Sequence, residues 1–230
     1  MGALRRQYPP MSDDNMGLAR HLARLGDRLR DISALGLRFS KNIYDREHFQ
    51  SVQNISLDLL ALATGQSPLA LEPIRESVLS RPTPFVGADA AVIDPAGRIL
   101  LIRRADNGLW AMPGGALEVG ETPAAGAERE AFEETGVRCR ADALIGLFDS
   151  RLCGSTIALH LYHVTFLCAP LDASGIGAGS HRQEVLDVAW FGESALPAAI
   201  DPGHVTRIPE AFRVWRGDRR AFFDPGVPDD

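Results

Sequence analysis

Between residues 118 and 134 the chain places six glutamates, Glu118, Glu121, Glu128, Glu130, Glu133 and Glu134, against one arginine, Arg129. Carboxylates at that density are not core. They are hard oxygen donors of the kind that hold Mg²⁺ or Mn²⁺, and such ions neutralise phosphates, orient them and make water a better nucleophile. Spacing decides whether the carboxylates can act together. Thr122 is a good N-cap, Pro123 suits the first helical position and Gly136 suits a left-handed C-terminal cap, so the pattern predicts one helix over 123–135. At ~100° per residue, Glu130, Glu133 and Glu134 fall within an arc of about 100°, beside a second arc of Ala124, Ala127 and Ala131. Like charges at spacings of three and four repel by roughly 0.2–0.5 kcal/mol per pair, so that face calls for cations. The alanines beside it let the helix lie close to a sheet.

The glutamates also belong to a longer pattern. Gly115, five residues, Glu121, seven residues and then 129-REAFEETGV-137 resembles the box of the Nudix hydrolases, with Gly115, Glu121, Arg129, Glu130, Glu133, Glu134 and Gly136 at the required spacing. At average residue usage, seven such identities arise by chance at a given start on the order of 10⁻⁸ of the time. One position departs from the pattern: the aliphatic residue after Arg-Glu is Ala131, smaller than usual. The resemblance implies an α+β fold over about residues 85–200, a Nudix-type αβα sandwich with a mixed β-sheet. It also implies hydrolysis of a diphosphate bond in a nucleoside diphosphate linked to another group. On that resemblance Glu130 and Glu134 are the principal ligands of Mg²⁺, with Mn²⁺ as the alternative ion. Glu133 is a further ligand, the Gly114 carbonyl an additional contact, and Arg129 and Glu121 are supports, with Gly115 and Gly136 structural. Arg129 stands four residues before Glu133, within reach to orient it. The same resemblance implies a general base drawn from a loop outside the box. Glu184, in 181-HRQEVLDVAWFGESALP-197, is the candidate, ahead of Asp187, which falls inside a strand; Glu130 itself is the alternative.

The elements that must carry these residues are legible as periodicities. FVGADAAVID and RILLIRRA flank Asp94-Pro95-Ala96-Gly97, which predicts a β-hairpin. GLWAMP leads as a strand into Gly114-Gly115; ALIGLF, STIALHLYHVTFLC and VLDVAWF read as later strands, and ESALP and HVTRIPEAFRVW as short helices. On the strand IALHLYHVTF, His160 and Tyr162 share one face and His163 takes the other; all three read as packing or sheet surface, and Trp110 as core.

Ahead of the strands the pattern is helical. Leu18, Leu22, Leu25, Leu29, Ile32 and Leu35 mark one helix over about 18–37, with Asn15 or Asp14 as its cap. Phe49, Val52, Ile55, Leu59, Leu60 and Leu62 mark a second over about 45–64, closed by Gly65. Tyr44 and Phe49 are aromatics at helical spacing and read as core. Residues 1–15 read as a disordered tail, 16–80 as a helical hairpin and linker, and 81–230 as the catalytic domain. Two helices alone bury little, so the hairpin must pack on another domain or a second subunit. The stretch 38-RFSKNIYDREHF-49 resembles an N-terminal module of some bacterial Nudix hydrolases, and that resemblance implies a homodimer and substrates of the ADP-ribose or CDP-choline type.

Composition narrows the alternatives. The chain has 230 residues, 45% of them apolar and 23% charged, as in a globular protein of one or two domains. No run is long and apolar enough to span a membrane, and the start lacks the apolar core of a secretory signal, so a cytoplasmic location is expected. Cys139, Cys153 and Cys168 share no CxxC spacing and read as reduced, buried thiols. Basic residues number 23 arginines and one lysine, Lys41, scattered without a basic run, so neither DNA nor RNA is an expected partner. Residues 1–80 carry 10 basic and 9 acidic side chains, whereas 81–230 carry 14 and 21. The expected partner of that acidic half is a nucleotide-derived small molecule brought in with metal ions. Alternatives are clean-up of nucleoside triphosphates, trimming of RNA 5′ ends, and a nucleotide-sensing regulator without turnover.

Overall fold

The structure is a computed structural model that describes residues 13–73, 75, 84–155, 160–171, 176 and 183–226. The chain forms two compact units, Met1–Thr83 and Pro84–Asp230.

In the first unit α1 (Asp13–Phe39) and α2 (Ile43–Thr64) are followed by a single turn, α3 (Pro68–Leu71). Helix α1 begins inside the segment read as a tail, because the apolar repeat that marks it in the sequence starts only at Leu18, after a polar first turn. The rest of that tail, and most of the expected linker, lie outside the described residues. Asn42 caps α2 by accepting the Asp45 N–H at 2.8 Å, and Gly65 closes it with φ 67°, a left-handed conformation that costs glycine nothing. The two helices meet closely at Gly26, whose carbonyl accepts the Ser56 hydroxyl at 2.7 Å, and at Gly36, which lies under the Phe49 ring. Tyr44 departs from its core reading and is 72% exposed. Periodicity places a residue on a face but does not say whether that face has a partner.

In the second unit the strands form two sheets. The five-stranded sheet runs in the order β4 (Gly114–Ala116), β1 (Phe85–Val92), β6 (Leu161–Pro170), β5 (Cys139–Asp149), β8 (Phe222–Phe223); it is mixed, with β1–β6 and β5–β8 parallel. The antiparallel three-stranded sheet runs β3 (Trp110–Ala111), β2 (Arg98–Arg104), β7 (Val185–Gly192). The hairpin predicted at Asp94–Gly97 is therefore corrected. The tight turn forms, with the Asp94 and Gly97 amides bonded to Arg98 and Asp94 carbonyls and Gly97 at φ 74°, but its arms share only an Ile93–Ile99 bridge before entering different sheets. Both arms have buried faces on both sides, so each serves a sheet of its own rather than one ladder.

Helix α4 (Pro123–Thr135) has the predicted bounds: the Thr122 hydroxyl accepts the Ala125 N–H, and Gly136 ends it at φ 71°. Alternate residues of β1 point to opposite layers. Ala88, Ala90 and Val92 pack with Ala127 and Ala131 of α4, while Ala91 packs with Ile208, Ala211 and Phe212 of α6 (Arg207–Trp215). The small Ala131 thus meets a strand that is itself small, and the layer closes without a larger aliphatic. A short helix α5 (Pro202–Val205) precedes α6, and a 3₁₀ turn spans Glu193–Ala195. Cys139, Cys153 and Cys168 are free and buried.

Candidate active site

Two adjacent glycines of β4 face opposite layers. Gly115 pairs with Ala88 and turns toward α4, where a Cβ would stand 2.6 Å from Glu130 Oε1. Gly114 pairs with Asp89 and turns the other way, where a Cβ would stand 2.8 Å from the Asp89 Cα. Each must be glycine for a different close approach. The Gly114 N–H donates to Glu134 Oε2 at 2.9 Å, tying the strand to the last turn of α4.

Arg129 organises the predicted acidic face. Its guanidinium donates to both oxygens of Glu121 at 2.8 and 3.1 Å, to Glu130 Oε1 at 2.8 Å and to Glu133 Oε2 at 3.0 Å. The Glu121 pairing, more than the other two, raises the Arg129 pKa, and Arg129 in turn holds Glu121 below the usual carboxylate range. Glu121 also accepts the Glu118 N–H at 2.6 Å, so the loop before α4 is fastened to the helix. Glu130 is buried. The Glu134 carboxyl is pushed up to about 8, first by burial and then by the charges of Glu130 and Glu184, against the opposing pull of the Gly114 N–H and Arg104.

Glu184 stands exposed just before β7, its backbone carbonyl accepting the Ala105 N–H at 2.9 Å, and its charge reaches Glu134. The fold thus brings together a helix acid and a loop acid fifty residues apart in sequence. Asp187 lies within β7 opposite Arg103, exposed, with its carboxylate accepting its neighbour's N–H. His160 and Tyr162 contact one another edge-on at 5.0 Å, and His160 reaches Asp149 at 3.3 Å. His163 is buried on the other face, with Nδ1 3.5 Å from Asp89. Trp110 packs edge-on against Phe191 at the core.

Sequence reasoning missed the layer behind Gly114. Asp89 is buried and pairs with Arg207, which is 1% exposed, while the Arg207 Nε donates to the Gly203 carbonyl at 2.7 Å. His204 accepts the Met112 N–H on Nδ1 at 3.3 Å, and burial together with the Arg207 charge holds its pKa far below the usual imidazole value. It is a neutral acceptor. An acid in the middle of an otherwise apolar strand was the one visible signal; nothing in the chain pairs position 89 with 207. Arg104 was likewise passed over, although its charge acts on Glu134.

The donor set fits a hard divalent cation. Burial and like charge destabilise the ionised form of Glu134, a cost that a cation relieves, and the Gly114–Gly115 cradle admits no side chain. Among the described residues no three His, Cys, Asp or Glu side chains form a ready-made cage, and Arg129 bonds to Glu130 and Glu133.

Comparison with known proteins bears on the family and the fold. The NUDIX domain matches residues 83–210, and the UDP-X-like N-terminal oligomerisation domain matches residues 20–74. A Bacillus subtilis protein named "Putative ADP-ribose pyrophosphatase YjhB" is 30% identical over 201 residues, covering 86% of this chain and 94% of its own. A Streptomyces ambofaciens "MutT-like protein" is 40% identical over 137 residues, 60% of this chain and 82% of its own. The crystal structure of a UDP-X diphosphatase shares the fold at a TM-score of 0.56 and 23% identity, over 91% of this chain and 99% of that one.

Proposed function

The chain belongs to the Nudix family, hydrolases of phosphorus-containing acid anhydrides that generally depend on divalent metal. On that premise we propose that it cleaves the diphosphate of a nucleoside diphosphate linked to a second group, of the ADP-ribose, CDP-choline or nucleotide-sugar type, to a nucleoside monophosphate and a phosphorylated remainder. The observation that carries this reading is the convergence of Glu130 and Glu134 on the Gly114–Gly115 turn, with the charge of Glu184 reaching Glu134. Glu130, Glu133, Glu134 and the Gly114 carbonyl would hold Mg²⁺ or Mn²⁺, which when bound neutralises the diphosphate and acidifies water.

The chain's own groups do the rest. Arg129 keeps Glu121, Glu130 and Glu133 in one fan, so the acidic face stays assembled while substrate exchanges. Water adds to phosphorus, the bond from phosphorus to the bridging oxygen breaks, and the water proton passes to a carboxylate oxygen of Glu184, which is exposed and whose charge reaches Glu134. A homodimer built on residues 18–65 completes the reading, supported by the match to an oligomerisation domain and by the exposure of Leu18, Ile32, Phe39, Ile43, Ile55 and Leu62.

A substrate panel tests the proposal. With Mg²⁺ or Mn²⁺, the protein is expected to convert at least one of ADP-ribose, CDP-choline and the UDP-sugars to the monophosphate, and in ¹⁸O-water the label is expected on a product phosphate. Turnover confined to nucleoside triphosphates, or tight binding of any of these without turnover, would overturn it.

A further inference from the structure

The Met112–Gly115 turn is gripped from two sides. On the α4 side Glu134 accepts the Gly114 N–H and Glu130 sits under Gly115. On the α6 side Gly114 rests on Asp89, and the Met112 N–H donates to His204, itself only 5% exposed. Helix α5, which carries His204, is in turn tied down by Arg207: its Nε bonds to the Gly203 carbonyl, and its terminal nitrogen pairs with Asp89. These contacts close into a ring that runs from Asp89 to Arg207, Gly203, His204 and Met112, then along the turn to Gly114 and back onto Asp89. Apolar side chains of similar volume often fill such a space with equal or greater stability than a buried ion pair, so core filling alone does not account for the charges. What the ring does geometrically is hold one short turn. That turn supplies both the N–H that meets Glu134 and the carbonyl expected at the metal.

We propose that His204 is a positioning residue for the reaction: by accepting the Met112 N–H it sets Gly114 against Glu134, while the Arg207–Asp89 pair holds His204 in place. The inference rests on the assignment of Glu134 and Gly114 to the metal site. His204 touches neither substrate nor reacting atoms, so its effect must pass through the turn. A neutral imidazole suits the role, because a protonated Nδ1 has no lone pair to offer the amide.

Three substitutions in the full chain separate positioning from plain support. Leucine removes the acceptor. Asparagine places its carbonyl oxygen as many bonds from the backbone as the histidine Nδ1, whereas glutamine carries it one bond further. The readouts are Mn²⁺ affinity, followed by the spin resonance of free ion without substrate, together with kcat and KM on the substrate identified by the panel, and Tm. His204→Leu and His204→Gln are expected to weaken Mn²⁺ binding and lower kcat by about tenfold or more with KM little changed, the usual cost of losing a group that orients a metal site. His204→Asn is expected to stay within about threefold of the parent protein. If all three bind Mn²⁺ and turn over like the parent per folded molecule, whatever their Tm, the role is structural and the proposal falls. Should His204→Leu fail to fold, the remaining pair decides: asparagine above glutamine supports the proposal, and equality overturns it. Glu134→Gln is the control. If it too leaves Mn²⁺ affinity unchanged, the metal site is wrong and this inference goes with it; if it weakens or abolishes binding while the His204 variants bind like the parent, only the inference about His204 is lost.

Discussion

The two units of this chain solve the problem of burial differently. Among the described residues of the helical unit the buried apolar set is Leu57, Ala61 and Leu71, while Leu18, Ile32, Phe39, Ile43, Tyr44, Ile55, Leu62 and Leu69 are all more than half exposed. In the second unit two apolar layers close around the five-stranded sheet, and even an arginine is sealed inside. A domain that completes its own core can hold charged groups in fixed, desolvated positions, which is what metal and acid–base chemistry requires; a pair of amphipathic helices cannot, and is stabilised by association. The proposed function places chemistry in one unit and assembly in the other.

The largest expected effect tests the chemical half. Glu184→Gln keeps size and removes basicity, so kcat should fall by roughly 10²- to 10⁴-fold, with Mn²⁺ affinity altered much less than in Glu134→Gln. An enzyme within about threefold of the parent would move the base to Glu130 or another loop acid.

Glu134→Gln comes next, with more than about a tenfold loss of kcat and a folded protein by circular dichroism, since a charged ligand is lost from a helix without change of volume. The same variant gives a pH test in the presence of chelator. The folded pKa of Glu134 is raised to about 8 from 4.5, so the native state retains a proton that the unfolded chain releases. The stability this contributes is complete below about pH 4.5 and is lost as pH rises through about 8. Replacing Glu134 by glutamine should flatten that part of the Tm-against-pH curve; an identical slope in both proteins would show that the carboxyl is not shifted.

Arg207→Ala probes the sealed core through stability, and it also loosens the turn that the Asp89–Arg207 pair helps to hold. Leaving Asp89 buried without its partner should cost about 3–5 kcal/mol, read as a fall in Tm or in the urea midpoint. A loss of less than about 1 kcal/mol would mean that the second unit is not as closed as its burial implies.

The smallest effect on turnover is expected from the helical unit. Ile32→Asp with Leu62→Asp, both at exposed sites, should shift the protein toward monomer by light scattering while kcat changes by less than about twofold. A dimer that survives, or a large loss of kcat, would break the division of labour at its base.

Along α4 almost everything was legible from the chain: Thr122, Pro123 and Gly136 set its ends, and the spacing of Glu130, Glu133 and Glu134 set its acidic face, because caps and side-chain periodicity depend on residues within a few positions of one another. The caps of α2 were partly legible for the same reason, with Gly65 read correctly and Asn42 passed over. What lay beyond reach was every relation decided by burial between distant segments. The turn at Asp94–Gly97 looks the same whether its arms pair or part into two sheets. Asp89 and Arg207 stand 118 residues apart, and only the packing of α6 on the five-stranded sheet makes their pairing, and the ring through His204, a physical fact. Local geometry follows from neighbouring residues in the chain, whereas the low-dielectric interior that gives a buried charge or imidazole its role exists only after the layers have closed.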